Sequence, residues 1–480
     1  MKSIAIIGGG FSGTLTAINL ARLSSTPLEI TVVNQGPVSC RGAAYGTRNS
    51  SHLLNVAARN MSALADQPNH FVEWLGTRSE YLDESSSSLR EKFVPRQVYG
   101  DYLQSVFHGY ATSLPLEKGT KLQVISGEVV DVVLEDNQAH VKLGEGREIK
   151  ADKVVLATGN QPPADIRPEG LADQSPLYIG NPWRDWERKL PSPNEAVLLV
   201  GTGLTMVDTV LSLQDLKWQG KIFAVSRNGL LPLSHFKGFD YPDFVTANHC
   251  AMSLRHIFSI FKQQYREAKA RNLNPAILVD KLRPFTQRIW QNFSVFEKRQ
   301  FNRHFRTRWN VTRHRIAPEI HGRLQEAITQ GRLEIIKGKL SSCVETENRL
   351  KVRVDSHRGP REIEVGVLIN CTGPQENCVK AKSTLFQNLF ARGTIQPDAL
   401  NMGIQVASNF AVLDAHQNVS ENLFAMGALL KGTLWETTAV PELRSQAFRL
   451  AETIARQLAA DPTEKSLISE VTEDVLEYSI

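Results

Sequence analysis

Cysteine is scarce in this sequence, and the spacing of the few cysteines argues against several classes of protein. The 480 residues include five cysteines, which are Cys40, Cys250, Cys343, Cys371 and Cys378. None of them forms a CxxC pair, so the sequence predicts neither a disulfide framework nor a cysteine-based zinc site and fits a reducing compartment. Iron–sulfur ligation and disulfide reduction through a neighbouring thiol pair are disfavoured for the same reason.

The sequence also lacks a long hydrophobic run and a strong excess of one charge. No apolar stretch approaches the roughly 20 residues that a membrane helix needs, and the apolar run at residues 4–7 is too short for a signal peptide. The formal net charge is +5 over 480 residues, which does not favour nucleic acid as a partner. We therefore predict a cytoplasmic protein of two or three domains, with no membrane segment and no metal site.

Glycine, in contrast, is concentrated in two turns of the same kind. Their residues are Gly8, Gly9, Gly10, Phe11, Ser12 and Gly13 in the first turn, and Gly201, Thr202, Gly203, Leu204, Thr205 and Met206 in the second. Each turn follows a short apolar strand and opens a helix. Glycine lets such a turn approach a pyrophosphate, and the helix N-terminus offers free N–H groups to its negative charge. Two such turns predict two dinucleotides on one chain, with electron transfer between them.

The order of elements around these turns indicates an α/β fold with two Rossmann-like dinucleotide-binding domains, the second inserted in the first. A strand ending in Thr158-Gly159 follows the first turn, and a strand ending in Thr372-Gly373 follows the second. The chain is therefore expected to leave the first sheet, build a second and return. The predicted boundaries are 1–165 and 365–480 for the first domain and 190–345 for the second, which carries a helical insertion at about 250–315.

Three segments carry more specific expectations about the sheets. Residues 122–125 and 128–133 suggest an antiparallel excursion from the first sheet. Residues 333–336 are predicted to form a short strand. Residues 363–371 are predicted to bring the chain back as one returning segment.

The residue after the second strand of each unit indicates which nucleotide binds there. In the first unit this residue is Asn34, where such folds often carry an acid that binds a ribose hydroxyl; an amide can still do so. In the second unit the position reads Ser226-Arg227. A hydroxyl and a guanidinium suit a ribose with a 2′-phosphate, which predicts NADPH. The alternative is that Arg227 is only a solvated residue at a strand end.

Two residues of the helix that the second glycine turn opens, Met206 and Asp208, also bear on the predicted fold. Met206 stands where the first turn has its third glycine, which predicts a wider spacing between strand and helix. Asp208 is either an exposed helical carboxylate or a contact with the partner domain.

Four further motifs resemble a bacterial FAD/NAD(P)-binding family of two-dinucleotide-domain flavoprotein monooxygenases. They are Gly42-Ala43-Ala44-Tyr45, Leu53-Leu54-Asn55-Val56, Pro95-Arg96-Gln97-Val98-Tyr99-Gly100, and residues 436–444. Members of that family include an FAD-dependent urate hydroxylase and an aspartate N-hydroxylase. The resemblance covers nearly the whole chain and implies FAD in the first domain and NADPH in the second.

The resemblance also implies roles for individual residues. The expected FAD-binding residues are Gly8, Gly10, Phe11, Ser12, Gly13, Asn34, Arg96, Val129, Thr158, Gly159, Gly427 and Thr438; the expected NADPH-binding residues are Gly201, Gly203, Thr205, Ser226 and Arg227. Among these, Arg96 is expected near the flavin and Val129 near the adenine. Residues 437–440 are expected to approach the isoalloxazine from a helix N-terminus, which stabilises negative charge on a reduced flavin.

Both nucleotides together imply hydride transfer from nicotinamide to flavin. The reduced flavin then either reacts with dioxygen to a flavin peroxide that hydroxylates a substrate, or passes electrons to another acceptor. Because no thiol pair or iron–sulfur spacing serves the second route, we predict a monooxygenase of a small polar, nitrogen-containing substrate, either a urate-like heterocycle or an amino acid. The alternatives are an NADPH-dependent reductase or dehydrogenase, and a protein in which the flavin is structural or sensory.

A basic run from Lys298 to Arg315 is the candidate for substrate recognition. Arginine suits a carboxylate or an anionic heterocycle, although a charge run on helices is often only a solvated face. Residues 309–315 resemble a family motif, which makes Arg313 and His314 candidate catalytic residues. His235 is a third candidate, near the nicotinamide, or else a hydrogen-bonded surface residue.

Overall fold

The computed structural model describes residues 1–36, 40–135, 138–184, 186–236 and 238–459. The strands in these ranges are β1 (Lys2–Ile7), β2 (Leu28–Asn34), β3 (Lys121–Ser126), β4 (Val129–Glu135), β5 (Gln138–Leu143), β6 (Glu148–Ala151), β7 (Lys153–Leu156), β8 (Tyr178–Ile179), β9 (Val197–Val200), β10 (Ile222–Ser226), β11 (Leu333–Glu345), β12 (Leu350–Ser356), β13 (Gly359–Val365), β14 (Val367–Asn370), β15 (Ala411–Leu413) and β16 (Val419–Ala425).

The helices of the same ranges are α1 (Phe11–Leu23), α2 (Gly42–Tyr45), α3 (His70–Gly76), α4 (Ser86–Glu91), α5 (Arg96–Lys118), α6 (Leu204–Asp215), α7 (Leu254–Ala270), α8 (Ile277–Leu282), α9 (Thr286–Asn292), α10 (Val295–His304), α11 (Arg306–Arg313), α12 (Pro318–Thr329), α13 (Thr384–Arg392), α14 (Lys431–Leu434) and α15 (Val440–Leu458). Short 3₁₀ turns span Ala58–Asn60, Ser79–Tyr81, Glu187–Lys189, Ala247–Ala251, Arg283–Phe285, Cys378–Lys380 and Gly427–Leu430.

The first sheet has six strands in the order β15-β16-β7-β1-β2-β3. Strand β1 runs parallel to both β2 and β7, and β16 runs parallel to β7. The apolar residues 4–7 of β1 are almost completely buried, as expected for a parallel strand covered on both faces. Helix α15 packs against α1. Strands and a helix from the C-terminal part of the chain thus complete the unit that begins at the N-terminus.

The second sheet has seven strands in the order β13-β12-β11-β10-β9-β14-β8. Strands β9, β10 and β14 repeat the parallel arrangement of the first unit, with β9 between the other two. Helices α7 to α11 lie between β10 and β11 in the chain. Their apolar cluster includes Trp290 and Phe293, and it also takes in Met402 and Trp435 from the C-terminal part. The helices after β10 therefore pack against the part of the chain that completes the first unit.

The expected α/β fold with two Rossmann-like units is confirmed, but three details of the sheets differ from expectation. Strand β3 pairs in parallel with β2 inside the first sheet, so only β4, β5 and β6 form the separate antiparallel sheet. Strand β11 continues to Glu345, because its second half pairs with β12 in an antiparallel ladder.

The third difference concerns the segment expected at residues 363–371. It is two strands, β13 and β14, separated at Gly366. Strand β13 pairs antiparallel with β12, whereas β14 pairs in parallel with β9. A Cβ at Gly366 would lie 2.8 Å from Cγ of Pro191, so the chain changes ladders at a point where a side chain does not fit.

A membrane-spanning helix needs about 20 predominantly apolar residues. None of the helices in the described part of the chain is long and apolar enough to cross a membrane.

Candidate functional site

The first glycine turn has a backbone that requires glycine at two positions. Gly8 has φ +116°, and a Cβ there would lie 2.3 Å from the carbonyl oxygen of Ala157. A Cβ at Gly13 would lie 1.9 Å from the carbonyl oxygen of Gly8. Helix α1 begins after Gly10, and the structure shows no side-chain cap at this N-cap within the described residues. The first N–H groups of α1 thus face the turn, as in sites that hold a pyrophosphate.

The second turn repeats this backbone at the start of α6. Gly201 has φ +115°, and a Cβ there would lie 2.4 Å from the carbonyl oxygen of Cys371. A Cβ at Gly203, the N-cap of α6, would meet no described atom within 4 Å. Met206 is fully buried in the apolar core of the second unit. Because the thioether fills space between helix and sheet, the third glycine is not needed here.

Residues from the C-terminal part of the chain close the first turn on one side. Gly427 has φ +74°, and its N–H donates to Oε1 of Gln446 at 2.8 Å. The hydroxyl of Thr437 donates to the carbonyl oxygen of Gly427 at 2.9 Å. A Cβ at Gly427 would lie 3.1 Å from Oγ of Ser12. The turn at Gly427 therefore lies directly against the first glycine turn.

The helix that follows supports this arrangement. Helix α15 begins at Val440, and the predicted residue Thr438 is exposed just before its N-terminus. Gln446, in the middle of α15, also donates to Oγ1 of Thr437 at 2.8 Å. Sequence reasoning did not identify Gln446. Gln446 could have been noticed because it is a polar residue on the apolar face of a helix. A polar side chain that is buried in such a place usually has a hydrogen-bond partner.

Thr158 and Gly159 lie at the end of β7, on the other side of the first turn. Gly159 has φ +68°, and a Cβ there would meet no described atom within 4 Å. The Oγ1 atom of Thr158 is buried, and the described residues provide no hydrogen-bond partner for it. A buried hydroxyl usually has a partner, so this atom fits a polar ligand such as a dinucleotide.

Asn34 and Val129 occupy the positions expected to surround the adenosine. The amide Nδ2 of Asn34 donates to the carbonyl oxygen of Gly36 at 2.6 Å. A Cβ at Gly9 would lie 2.8 Å from Cβ of Asn34, so Asn34 packs directly against the turn. Val129 is buried at the start of β4. Their roles toward FAD stay predictions.

Arg96 forms a buried ion pair with Asp208. The guanidinium donates from Nη1 to Oδ2 at 2.8 Å and from Nη2 to Oδ1 at 3.1 Å. Its Nε donates to the carbonyl oxygen of Leu53 at 2.9 Å. Of the two alternatives for Asp208, the structure shows the contact with the other unit. The expected position of Arg96 near the flavin stays a prediction.

The second site is more open than the first at its ribose end. The hydroxyl of Ser226 lies 2.8 Å from that of Thr202 and accepts from the N–H of Gly229 at 3.0 Å. Arg227 is exposed, and within the described ranges it forms no hydrogen bond or ion pair. Its guanidinium is therefore available to a phosphate. Thr205, in the first turn of α6, is half-buried, and its role stays a prediction.

The segments that follow Thr158-Gly159 and Thr372-Gly373 contact each other. Gln161, shortly after Gly159, and Gln375, shortly after Gly373, form an isolated antiparallel β-bridge. The N–H of Gln375 donates to the carbonyl oxygen of Pro162 at 3.2 Å. The segments that follow strands β7 and β14 thus contact each other and join the carboxyl ends of the two parallel arrangements.

A cluster of charged residues lies next to this bridge. Oε1 of Glu376 contacts both Arg306 and Lys431. The neighbouring cations hold the pKa of Glu376 below its usual range even though burial alone would raise it. One carboxylate between two cations leaves this cluster with a net positive charge, and its side chains remain 22–27% exposed.

Both cations of this cluster face the ring of Trp435. The distances to the ring centroid are 5.7 Å for Cζ of Arg306 and 5.8 Å for Nζ of Lys431. Trp435 has φ +63° and ψ −74°, and the N–H of Glu436 donates to the carbonyl oxygen of Leu434 at 2.9 Å. This is a γ-turn of the strained kind, which is rare for a bulky residue. The strain occurs two residues before Thr437, beside the expected flavin site.

Arg313 and His314 lie at the C-terminal end of α11, the helix that begins with Arg306 of this cluster. Arg313 is buried and sits 3.3 Å from carboxylate oxygens of both Glu436 and Glu442. Glu442 is also held by Arg283, with hydrogen bonds of 2.6 and 2.9 Å. Burial, reinforced by the charges of Arg313 and Lys431, lowers the pKa of His314 to about 3. Arg313 therefore joins helix α11 to Glu436 and Glu442 in the C-terminal part of the chain. His314 is neutral at physiological pH. The catalytic roles of both residues stay predictions.

His235 lies at the contact between the two units. Its Nε2 is 2.6 Å from the carbonyl oxygen of Asn55, and its ring packs on Phe93 with centroids 5.0 Å apart. Burial lowers the pKa of His235. A position near the nicotinamide stays a prediction.

The arrangement defines a fold class: two units that each place a glycine turn between a parallel strand and a helix, as dinucleotide-binding folds do. Residues 5–161 match the model of the FAD-NAD(P)-binding family. That match contains the first glycine turn, Arg96 and Thr158, and it confirms the FAD/NAD(P)-binding resemblance over this part of the chain. No curated protein sequence gives a match.

Solved structures show the same architecture over almost the whole chain. The ornithine N-hydroxylase of Kutzneria sp. 744 is 17% identical with a TM-score of 0.65, covering 95% of this chain and 99% of that one. The ornithine hydroxylase of Pseudomonas aeruginosa is 13% identical with a TM-score of 0.63, covering 95% and 100%. The bacillithiol disulfide reductase of Staphylococcus aureus is 12% identical with a TM-score of 0.56, covering 96% and 100%. At these identities the likeness establishes the fold.

Proposed function

We propose that this protein is an FAD- and NADPH-dependent monooxygenase that hydroxylates a small polar, nitrogen-containing molecule. The observation that carries the proposal is the β-bridge between Gln161 and Gln375, which joins the segments that follow the returning strands β7 and β14. Ligands of such folds bind outside the carboxyl ends of the strands, so this bridge lies where the two nucleotides would approach each other. The family match over residues 5–161 and the shared fold with the two ornithine hydroxylases support it.

The residues of the first unit fit FAD. Gly8 and Gly13 let the turn pack closely against Ala157 and against itself, which is the backbone geometry of a pyrophosphate-binding turn, and the buried hydroxyl of Thr158 lacks a described partner. When bound, FAD supplies the redox chemistry, taking electrons from NADPH and activating dioxygen. The N-terminus of α15 would favour negative charge on a flavin ring held beside it.

The residues of the second unit fit NADPH. The start of α6 offers its first N–H groups to the pyrophosphate. Arg227 is exposed at the end of β10, where it can pair with a 2′-phosphate through charge-assisted hydrogen bonds. The hydroxyl of Thr202, which sequence reasoning did not single out, fixes Ser226 beside it.

The cluster of Glu376, Arg306 and Lys431 is the proposed place of the substrate. Its excess positive charge suits a carboxylate or an anionic heterocycle, and Glu376 suits an ammonium or ring N–H group. Trp435 offers a flat face next to the cations, and it packs on Trp290 and Phe301 with centroids 4.8 and 5.1 Å apart. These rings exclude water from one side of the cleft, which oxygen activation requires.

The alternative is a reductase that passes electrons to a separate acceptor, as the bacillithiol disulfide reductase shares the fold. The cysteines of this chain do not favour it. Burial raises the pKa of both Cys371 and Cys378 to about 12. Since the thiolate is the reactive form, neither thiol is prepared for exchange with a disulfide.

Oxygen uptake and NADPH oxidation by the purified, FAD-loaded protein test the proposal. The probes are urate, L-aspartate, L-ornithine and L-lysine, added one at a time. A monooxygenase oxidises NADPH faster with its substrate and consumes oxygen in step. If no probe stimulates oxygen uptake, and an artificial acceptor supports equal oxidation without oxygen, the protein is a reductase. Bound FAD with no NADPH oxidation indicates a sensory role.

A substitution in the cluster of Glu376, Arg306 and Lys431 tests whether the substrate binds there. Arg306→Gln is expected to raise the KM of the stimulating probe at least about tenfold, since a charge-assisted contact contributes roughly 1.5–3 kcal/mol. FAD content and oxidation of NADPH without substrate should not change. Arg266→Gln, which removes an exposed arginine from α7, is the matched control. An unchanged KM in Arg306→Gln would exclude this cluster as the substrate site.

A further inference from the structure

The buried ion pair between Arg96 and Asp208 joins the two nucleotide-binding units. Arg96 is the first residue of α5, in the unit that begins with β1, and Asp208 lies on α6, the helix that starts at the second glycine turn. The side chains are 11% and 7% exposed. Both guanidinium ends are engaged, which fixes the direction as well as the distance of the contact.

Polar contacts surround this pair and also cross from one unit to the other. Nε2 of His52 lies 3.0 Å from both the carbonyl oxygen of Asp208 and Oγ of Ser212. The amide of Asn49 donates to Oγ of Ser212 at 3.3 Å. Asn49 and His52 of the first unit therefore contact α6 at two positions one turn apart, Asp208 and Ser212.

The position of Asp208 on its helix gives this contact a functional meaning. Asp208 is five residues beyond Gly203, the N-cap of α6, so it lies about 7.5 Å along the helix axis from the end that is expected to bind the pyrophosphate. Arg96 begins α5 within the motif of residues 95–100, and the family resemblance implies a position near the flavin for it. One ion pair thus connects the helix of the second nucleotide with the surroundings of the first.

We propose that Asp208 is a positioning residue for flavin reduction: by holding Arg96, it fixes the second unit in the orientation in which NADPH reaches FAD. The inference rests on the proposed function. Turning α6 away from the first unit would leave both charges buried without a partner or expose them to water, and loss of one partner of a buried pair is strongly unfavourable. The second unit is therefore fixed against the first while the nucleotide binds and leaves.

Asp208→Asn, Arg96→Gln and the double variant test this inference on the full-length, FAD-loaded protein. Asp243→Asn is the control, because it removes an exposed carboxylate that pairs with Lys281 at 2.8 Å. Two readouts are compared: hydrogen–deuterium exchange of residues 47–55 and 204–215, and the anaerobic rate of flavin reduction at saturating NADPH. FAD content and the rate of reduction by dithionite report on the flavin site itself.

In Asp208→Asn we expect faster exchange in both segments and a maximal rate of reduction by NADPH that is at least about tenfold lower, since small misplacement of reactants has effects of this size. FAD content and dithionite reduction should match the control. The double variant leaves no buried charge without a partner, so it should exchange more slowly than either single variant. If a single variant does not fold, the same measurements are made on the double variant instead.

Two results would overturn the inference. Unchanged exchange in residues 47–55 and 204–215 would show that the pair does not hold the units together. Faster exchange with an unchanged rate of reduction would show a purely structural role. If NADPH does not reduce the flavin of the unaltered protein, the proposed function fails, and the exchange measurement alone then decides whether the pair fixes the orientation.

Discussion

The two glycine turns share one backbone but differ in what surrounds them. Gly8 and Gly201 have φ values of +116° and +115°, and a Cβ at either would strike a carbonyl oxygen of a returning strand. A Cβ at Gly10 would lie 3.4 Å from Cα of Gly42, whereas one at Gly203 would meet nothing described within 4 Å. The first turn is also covered by Gly427 from the tail. The second has no comparable cover among the described residues.

This difference indicates different residence times for the two nucleotides. A ligand in the first turn is enclosed by elements from both ends of the chain, so its release requires those elements to separate. A ligand in the second turn lies in the open with an exposed arginine at its end. Under the proposed function, FAD would be the resident nucleotide and NADPH the exchanging one.

The largest effect is expected from a methyl group in the first turn. In Gly13→Ala the new Cβ would lie 1.9 Å from the backbone of Gly8, so we expect FAD content below about a tenth of normal, with loss of several kcal/mol of stability. Gly203→Ala has room for its Cβ and should keep FAD, measured by absorbance after gel filtration, while binding NADPH more weakly. Equal FAD content in both variants would contradict the comparison.

A substitution of Arg227 tests whether the second, more open site recognises a 2′-phosphate. Arg227→Ala removes the charge that is expected to bind the 2′-phosphate, and we expect the KM for NADPH to rise roughly ten- to a hundredfold, because hydrogen bonds to charged groups contribute about 1.5–3 kcal/mol. The KM for NADH, measured in the same assay, should not change. A similar rise for both nucleotides would mean that the residue does not recognise the phosphate.

His314 tests the enclosure of the first site through pH. Its pKa of about 3 lies below that of about 6.5 in an unfolded chain. Between these values the unfolded state binds a proton that the folded state does not, so stability falls as the pH falls from about 6.5 toward 3, by up to about 1.4 kcal/mol per pH unit. His314→Gln should flatten this dependence in urea unfolding at pH 7 and pH 5, and it should delay release of FAD in acid. The exposed His256, changed to Gln, should leave both unchanged.

The smallest effect concerns the two threonines that end the returning strands. Thr372 donates to Oδ1 of Asn370 at 2.7 Å, whereas Oγ1 of Thr158 has no partner among the described residues. Thr158→Val should therefore weaken FAD binding about fivefold, or about 1 kcal/mol. Thr372→Val should leave FAD binding unchanged. Titration of the apoprotein with FAD separates the two.

The sequence predicted the local elements of both units well, because each combines a buried strand, a glycine turn and a helix start. Helix α1 (Phe11–Leu23) begins within the first glycine turn, as predicted. Pairing between distant segments was harder to predict. The alternating pattern of residues 121–126 does not distinguish a parallel edge strand from an antiparallel one, so the place of β3 beside β2 depends on tertiary context.

The candidate site shows the same limit. The glycine turns were identifiable because backbone geometry restricts the residue types there, whereas the role of Arg227 stays a prediction. The contact of Asp208 could only be given as one of two possibilities, since a carboxylate on a helix is usually solvated. The cluster of Glu376, Arg306 and Lys431 joins three separate segments, and spacing along one sequence does not reveal such a meeting.

The order of strands in the first sheet also has a consequence for biosynthesis. Strand β7 pairs with β16, so its edge stays open until the ribosome has made residue 425, whereas the strands of the second sheet all lie between residues 178 and 370. The second sheet can therefore form on the nascent chain while the edge of β7 is still unprotected. Val154, Val155 and Leu156 on that edge are the segment that a chaperone would be expected to shield during translation.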